Sequence, residues 1–566
     1  MLQDSKTKRT YDAIVIGSGA SGGWAAKELC EKGLKTLVLE RGRKVEHQKD
    51  YPTASKGTWQ FEFRESVPIE KRADYQNLRW VRESSIHWML KDDEQPIVLE
   101  KPFRWFRGYH EGGKSLLWAR QTQRWSEYDF EGPARDGYAV DWPIRYKDLE
   151  PWYAHVERFA GISGDNDNLP ELPNSVVQPA FGMSCVEEHF KESLKNNYDG
   201  TRHLINGRCA HLTEPQEIHN QQGRSKCQHQ KMCFRGCNFG GYFSSNSSTL
   251  PWAMKTGNLT VRPDAVVHSI IYDDDKQKAT GVRIIDRHSM EMEEFYADIV
   301  FVNASTIASN AILLNSTSDR FPNGLGNDSG LLGKFLASHN YRGKGGANVE
   351  GFSDKKTSGR NPSHTYIPRF RNVFKQETDF LRGYSIGIGA GRGLNPDTSA
   401  IGAELTDGII NPEHDDLWHI SSWMQGETIP VEENHIRLHE ELKDKYGIPQ
   451  IVLSADWKEN DDKMVADYME QQQEMFEKAG FINVRVRDSK SPMGSDIHEM
   501  GGVRMGHDPK TSLLNKWNQL HHCKNVFVTD GACMTSTSTQ NPTLTFMAIT
   551  ARAANYAAEE MKKKNL

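Results

Sequence analysis

The sequence predicts an α/β protein in which a domain wound around a parallel sheet carries a second lobe built on a largely antiparallel sheet. Three observations point there. The chain opens with an apolar strand, a glycine-rich turn, a helix and a second strand, between Tyr11 and Glu40. It closes on another apolar strand, a turn and a helix, between Asn525 and Met561. Between these ends, residues 332–443 are strand-rich and irregular, interrupted by Gly, Pro and Asp, as a sheet with long connections would be.

The opening unit reads YDAIVIGSGASGGWAAKELCEKGLKTLVLERG. Gly17, Gly19 and Gly22 occupy a G-x-G-x-x-G turn directly after the apolar run, with Ala20 and Ser21 between the last two. Such glycines permit a tight turn and bring backbone close to a pyrophosphate at the helix N-terminus. Glu40 ends the second strand 23 residues after Gly17, where an acid accepts from ribose hydroxyls. Strand, turn, helix, strand and acid together describe a Rossmann-like dinucleotide unit. They do not choose between FAD and NAD.

At 566 residues the chain exceeds one compact core and implies two or more lobes. A net charge of −6 with 26% charged residues excludes a strongly basic surface for nucleic acid. There is no run of 18 apolar residues, and hence no expected transmembrane segment. The start MLQDSKTKRTYDAIVIG lacks the apolar stretch of a secretory signal. The expectation is a cytoplasmic chain, or a periplasmic one exported alongside a signal-bearing partner.

The remaining elements follow in order. Asn258 to Ile285 alternates as strands, with the DDDK cluster at a hairpin tip. Ile299 to Ser316 reads as a strand returning into a helix, and residues 460–479 as a helix ended by Gly480. The tail EEMKKKNL is a solvated helix end whose lysines complement the dipole. The expected domains are 1–330 for cofactor binding, with cysteine-cluster and substrate-lobe insertions at roughly 45–100 and 150–250, then 331–480 mainly for substrate, then 481–566 returning to the first domain.

The chemistry concentrates in the last domain. His498 begins HEMGGVRMG, and Asn541 stands 43 positions later in STSTQNPTLT. Oxidising a secondary alcohol removes the hydroxyl proton while a hydride leaves the carbon. A neutral imidazole is the side chain suited to take that proton near pH 7. Asn can orient the oxygen but cannot act as a base, so His498 is the expected base.

This block resembles the C-terminal part of the glucose–methanol–choline (GMC) oxidoreductases, in which the first position is His and the second His or Asn. The resemblance extends over nearly the whole chain and implies a Rossmann-like FAD-binding domain of GMC type with a second, substrate-binding lobe. Residues 104–119, RWFRGYHEGGKSLLWA, resemble the second flavin-contacting stretch of the family. That implies cofactor contacts at Arg104, Gly112, Gly113 and Ser115. In pyranose 2-oxidase, the histidine joined covalently to FAD falls where this chain has Leu117, so the implied FAD is non-covalent. The resemblance also places backbone near Val266 against the adenine and Asp530, in TDGACM, by the ribityl–pyrophosphate region. Asn541 and Thr543, at the start of the last helix, would lie by the flavin's pyrimidine carbonyls.

Cys227, Cys233 and Cys237 are spaced C-x5-C-x3-C in GRSKCQHQKMCFRGCNFGG. Three thiolates so placed can surround a small inorganic cluster, and Lys226, Lys231 and Arg235 are expected to lower their pKa. Zinc held with His229, or no ligand at all, are the alternatives. The spacing resembles the three-iron, four-sulfur ([3Fe-4S]) site in flavin subunits of membrane-linked bacterial sugar dehydrogenases. The other cysteines are isolated, as reduced or buried thiols would be.

Within the superfamily the chain is similar to glucoside 3-dehydrogenases and sugar dehydrogenase large subunits. The implied reaction is oxidation of a pyranose ring hydroxyl, at C3 of a glucoside, with electrons passed through the cluster to an external acceptor such as a cytochrome. A small export or chaperone subunit is a further implied partner. An oxygen-using oxidase of pyranose 2-oxidase type, a catalytically silent flavin-fold binding protein and an NAD-dependent dehydrogenase are the alternatives.

Overall fold

The computed structural model describes residues 11–75, 81–230, 233–355, 364–395, 400–410 and 413–566. Its first layer is a six-stranded sheet ordered Gln519–Leu520, Cys523–Val528, Ile299–Val302, Ala13–Ile16, Thr36–Leu39 and Leu259–Arg262. All neighbours pair in parallel except the first two strands. Ala13–Ile16, Thr36–Leu39 and Ile299–Val302 are buried at every position, as strands covered on both faces must be. Each fully buried Val, Leu or Ile there stabilises the sheet by roughly 1.5–3 kcal/mol.

Two helices close one face of this sheet. The first, Ala20–Glu31, packs Ala25, Ala26 and Leu29 into the same cluster as Ala553, Ala554 and Ala557 of the last, Thr543–Lys562. Small side chains let the two axes approach closely. The indole of Trp24 donates to Met547 Sδ at 3.1 Å across the contact.

The second lobe is an antiparallel sheet ordered Ile482–Asp488, Gly343–Val349, Glu413–Gly426, Tyr384–Asn395, Thr365–Ile367 and Ile205–Asn206. The helices Cys185–Asn197 and Glu459–Lys478 cover one face, packing Phe190, Tyr468 and Phe476 onto Ile386, Ile420 and Met424. The opposite face is left to line a cavity. Strand Ile482–Asp488 lies just beyond residue 480, and the far edge, Ile205–Asn206, comes from within the 150–250 insertion. Residues 331–480 also serve a third sheet, where Pro449–Ser454 pairs in parallel with Ile97–Leu99 and antiparallel with His435–Lys443. The pairing with Ile97–Leu99 joins segments some 350 residues apart, which local patterning cannot register.

The hairpin Ala265–Asp273 and Lys278–Asp286 turns at the acidic cluster and continues into Met292–Tyr296. Among the described residues no helix is long and apolar enough to cross a membrane.

Candidate active site

A cavity of about 750 Å³ runs from the glycine turn of the parallel sheet to the open face of the antiparallel one. Its walls include Gly17, Gly19, Ala20, Ser21 and Glu40 at one end, Gly113, Ser115 and Leu117 along the side, and Asp530, Asn541 and Thr543 near His498. Sequence positions hundreds of residues apart thus meet in one space.

The glycines divide by what a side chain would strike. Gly17 has φ +96° and packs so closely on Asn303 that a Cβ would lie 2.4 Å from its carbonyl oxygen. A Cβ on Gly22 would lie 1.9 Å from the carbonyl oxygen of Gly17. Both fix the turn from within. Gly19 meets nothing within 4 Å, so its bare Cα faces the space a pyrophosphate needs beside the helix N-terminus. Gly112, at φ +84°, shapes the second loop against Asn246, and a Cβ on Gly113 would lie 3.5 Å from the Cα of Gly19.

Ser18 ties these loops together. Its N–H and hydroxyl donate to Glu40 Oε2 at 3.1 and 2.5 Å, and its oxygen accepts from the Gly112 N–H at 2.8 Å. Gly42 N–H donates to Glu40 Oε1 at 2.8 Å. Glu40 therefore braces the turn as well as lining the cavity, and burial pushes its pKa up. Ser115 accepts from the N–H of Ser245, whose hydroxyl donates to the Gly19 carbonyl at 2.9 Å. Asp530 accepts from Ser309 at 2.5 Å and from the Ala532 N–H at 2.9 Å, and burial raises it to about 6. These features fit a dinucleotide: an uncovered glycine, a helix start and buried acids along one wall. Leu117 lines the wall with an alkyl chain, which offers no atom for a covalent link.

Four expected contacts lie off the wall: Gly22 and Gly112, which shape the two loops from within, and Arg104 and Val266. Arg104 is held by its backbone N–H on the Met493 carbonyl, and it is Trp105 and Phe106 that reach the cavity. Val266 packs with Ile285 and Tyr446, while its neighbours Ala265 and Val267 line the wall. Strand alternation explains the case of Val266: adjacent side chains point to opposite faces.

His498 and Asn541 meet directly, with Asn541 Nδ2 3.1 Å from His498 Nε2. Gln425 donates to the Thr539 carbonyl at 2.8 Å and to Asn541 Oδ1 at 3.3 Å, which turns the amide nitrogen of Asn541 toward the histidine. Behind His498 stand two residues that sequence reasoning did not single out. His339 Nδ1 lies 2.9 Å and Asp496 Oδ2 3.4 Å from His498 Nδ1.

Hydrogen-bond complementarity assigns the protons. His339 Nε2 lies 2.9 Å from the Thr537 carbonyl, which can only accept, so Nε2 carries a hydrogen. Burial pushes His339 down to about 4, and it is neutral at pH 7 with a lone pair on Nδ1. The 2.9 Å contact then requires the hydrogen on His498 Nδ1. His498 Nε2 is left as the lone pair that faces Asn541 and the cavity. Asp496 is anchored by Ser338 and by the His339 N–H at 2.8 Å. Burial would raise it, but the hydrogen bond from His498 and the neighbouring imidazoles hold it below the usual carboxylate value. A buried anion thus stands beside the His498 ring, where it would stabilise a positive charge on the imidazole. Asp496 is two positions before His498, which is the one hint the sequence offered. His339 carries no motif.

The cysteine loop borders the same cavity through Phe234 and Arg235. All eight cysteines are unpaired, with Cys30, Cys209, Cys523 and Cys533 buried. The expectation that nearby cations lower the thiol pKa values is corrected: burial dominates, raising Cys227 to about 11 and Cys237 above its usual value. Arg235 is engaged by Glu65, Lys231 lies outside the described residues, and the cation that acts on the thiols is Arg120, stacked over Tyr242 at 4.7 Å. Cys233 Sγ lies 3.7 Å from His211 Nε2. Among the described residues the only three donor atoms close enough together to grip one ion are those of His339, Asp496 and His498, which the proton assignment already accounts for. The zinc alternative at Cys227, His229, Cys233 and Cys237 has no such geometry.

Two segments match family models described as GMC oxidoreductase, residues 144–340 and 430–550. The chain is 27% identical to 2-methyl-1,2-propanediol dehydrogenase of Mycolicibacterium austroafricanum, covering 96% of this chain and 94% of that one. It is 24% identical to the fructose dehydrogenase large subunit of Gluconobacter japonicus, covering 98% of each. Among solved structures, pyridoxine 4-oxidase from Mesorbium loti superposes with a TM-score of 0.61 at 16% identity, over 97% of this chain and 99% of that one.

Proposed function

Because the chain belongs to the GMC oxidoreductase family, and so is an FAD-dependent oxidoreductase acting on a sugar or alcohol hydroxyl, we propose that its substrate is a pyranose, oxidised at a ring hydroxyl to a ketone. C3 of a glucoside is the preferred carbon. FAD, when bound, supplies the hydride acceptor. The residues do the rest. His498 Nε2 takes the hydroxyl proton, Asn541 Nδ2 holds the same oxygen, and Asp496 and His339 keep the opposite nitrogen protonated. The observation that carries this reading is the 3.1 Å pair of Nε2 and Nδ2 at the wall of the cavity that begins at the glycine turn. Relatives named as a fructose dehydrogenase large subunit and a gluconate 2-dehydrogenase flavoprotein support a sugar as substrate.

The test is His498→Ala. The variant should retain bound FAD and lose roughly 10²–10⁴ in the rate of anaerobic flavin reduction by a methyl glucoside. Retention of the wild-type rate would remove His498 as the base.

For electron exit, Cys227, Cys233 and Cys237 would hold a [3Fe-4S] cluster, which supplies a one-electron path to an external acceptor such as a cytochrome subunit. Support comes from the C-x5-C-x3-C spacing of the three cysteines in a loop that reaches the cavity wall. A relative named as a large subunit also accords with an assembly of several chains. Electron paramagnetic resonance and iron analysis on anaerobically purified, mildly oxidised protein decide it. Iron-free yellow protein would redirect the reading to direct transfer from FAD to the acceptor.

A further inference from the structure

The antiparallel sheet presents an aromatic platform to the reactive pair. On strand Glu413–Gly426, Ile420 and Met424 point into the core and Ser422 bonds Tyr468 there. Ser421, Trp423 and Gln425 point the other way, passing from exposed through half-buried to buried. Gln425 is the residue that orients Asn541. Trp423 lies two positions away on the same face, about 6.8 Å along the strand, and lines the cavity.

The indole has a seat. Trp423 pairs in register with Gly387, and a Cβ on Gly387 would fall 2.1 Å from the indole. The ring therefore lies flat on bare backbone, and no other residue type at 387 would allow this. Gly389, one step further, also leaves the trough open, with the indole edge 3.9 Å from where its Cβ would be. His364 meets Trp423 edge-on, with centroids 5.0 Å apart and planes at 83°. One face of the ring is thus covered by the sheet, while His364, Tyr366 and Gln425 place polar atoms around it in the same wall.

We infer that Trp423, seated on Gly387, is the subsite that binds the C–H face of a pyranose ring and delivers one of its hydroxyls to His498 and Asn541. A pyranose has an apolar face of axial C–H groups and a rim of hydroxyls. A flat aromatic face ringed by a few polar groups is its complement. A small branched diol has no such face and gains little from the platform. The inference rests on the sugar reading above.

The test compares anaerobic flavin reduction by methyl β-D-glucopyranoside and by 2-methyl-1,2-propanediol in the same holoenzyme preparations. Trp423→Ala should lower the glucoside-to-diol ratio of kcat/KM by about 10-fold, mainly through KM for the glucoside. Trp423→Phe should keep that ratio within about 3-fold of wild type, since it retains an aromatic face. Gly387→Ala, which lifts the indole off its seat, should shift the ratio in the same direction as Trp423→Ala. An unchanged ratio in Trp423→Ala, or an equal fall for both substrates, overturns the subsite while leaving the sugar reading intact. A wild-type enzyme reduced by the diol and by no glycoside overturns both.

Discussion

His339 Nδ1 stands 2.9 Å from His498 Nδ1, and because His339 is neutral and already donates from its other nitrogen, it can only accept there. The contact fixes which tautomer His498 adopts. Removing the acceptor should therefore damage catalysis without touching substrate or cofactor. His339→Leu is expected to reduce the rate of flavin reduction by roughly 10–100-fold with FAD content retained. His339→Gln, which restores an acceptor oxygen, should recover a substantial part. A purely packing role would make Leu, not Gln, the milder change, and stopped-flow reduction of both variants separates the two.

Asn541 donates toward a lone pair. Asn541→Asp puts an acceptor in its place, which favours a hydrogen on His498 Nε2, where the base must be empty. Activity at neutral pH should fall by at least 10²-fold, well beyond the loss in Asn541→Ala, which only removes the orienting group. Equal losses in the two variants would argue that orientation is all that Asn541 provides.

The glycine turn separates cofactor retention from folding. Gly19→Ala places its methyl in open cavity space and should leave the thermal transition of the FAD-free protein within about 1 °C of wild type while weakening FAD binding about 10-fold or more. Gly22→Ala drives a methyl into the Gly17 carbonyl and should cost about 1–3 kcal/mol of stability. Calorimetry with and without added FAD tests both expectations.

Much of this was legible in the sequence. The glycine turn, Glu40, His498 and Asn541 were readable because each sits in a local pattern of strand, turn and helix, and the structure brings them to one cavity. His339, Gln425 and Trp423 were not. They reach the site through antiparallel register and through a buried hydrogen bond, both of which depend on partners scores of residues away. The thiol ionisation was misjudged for a related reason: neighbouring lysines are visible in a sequence, whereas burial of Cys227 and Cys237 is not.

Acid sensitivity should report on His339. Its value falls from an ordinary 6.5 to about 4 on folding, so the unfolded chain takes up a proton that the native one refuses. Its contribution to stability is complete above about pH 6.5 and is lost as the pH falls through about 4. Other buried groups titrate in the same window, so the informative quantity is a difference between variants. Between pH 7 and pH 5 the melting temperature of wild type should fall by on the order of 1–2 °C more than that of His339→Gln. Parallel pH dependences would mean that His339 is protonated in the native state.

The order of strands in the parallel sheet has a consequence for biosynthesis. Ala13–Ile16 lies beside Ile299–Val302, which lies beside Cys523–Val528, and the first helix is sealed by the last. Strand Ala13–Ile16 therefore waits for its sheet to be completed by a strand made some 500 residues later, about 25–100 s at ~5–20 residues per second. Throughout that interval the glycine turn has neither its neighbouring acid Asp530 nor its closing helix. The cavity that the glycine turn borders is therefore completed only after Cys523–Val528 and the last helix have been made.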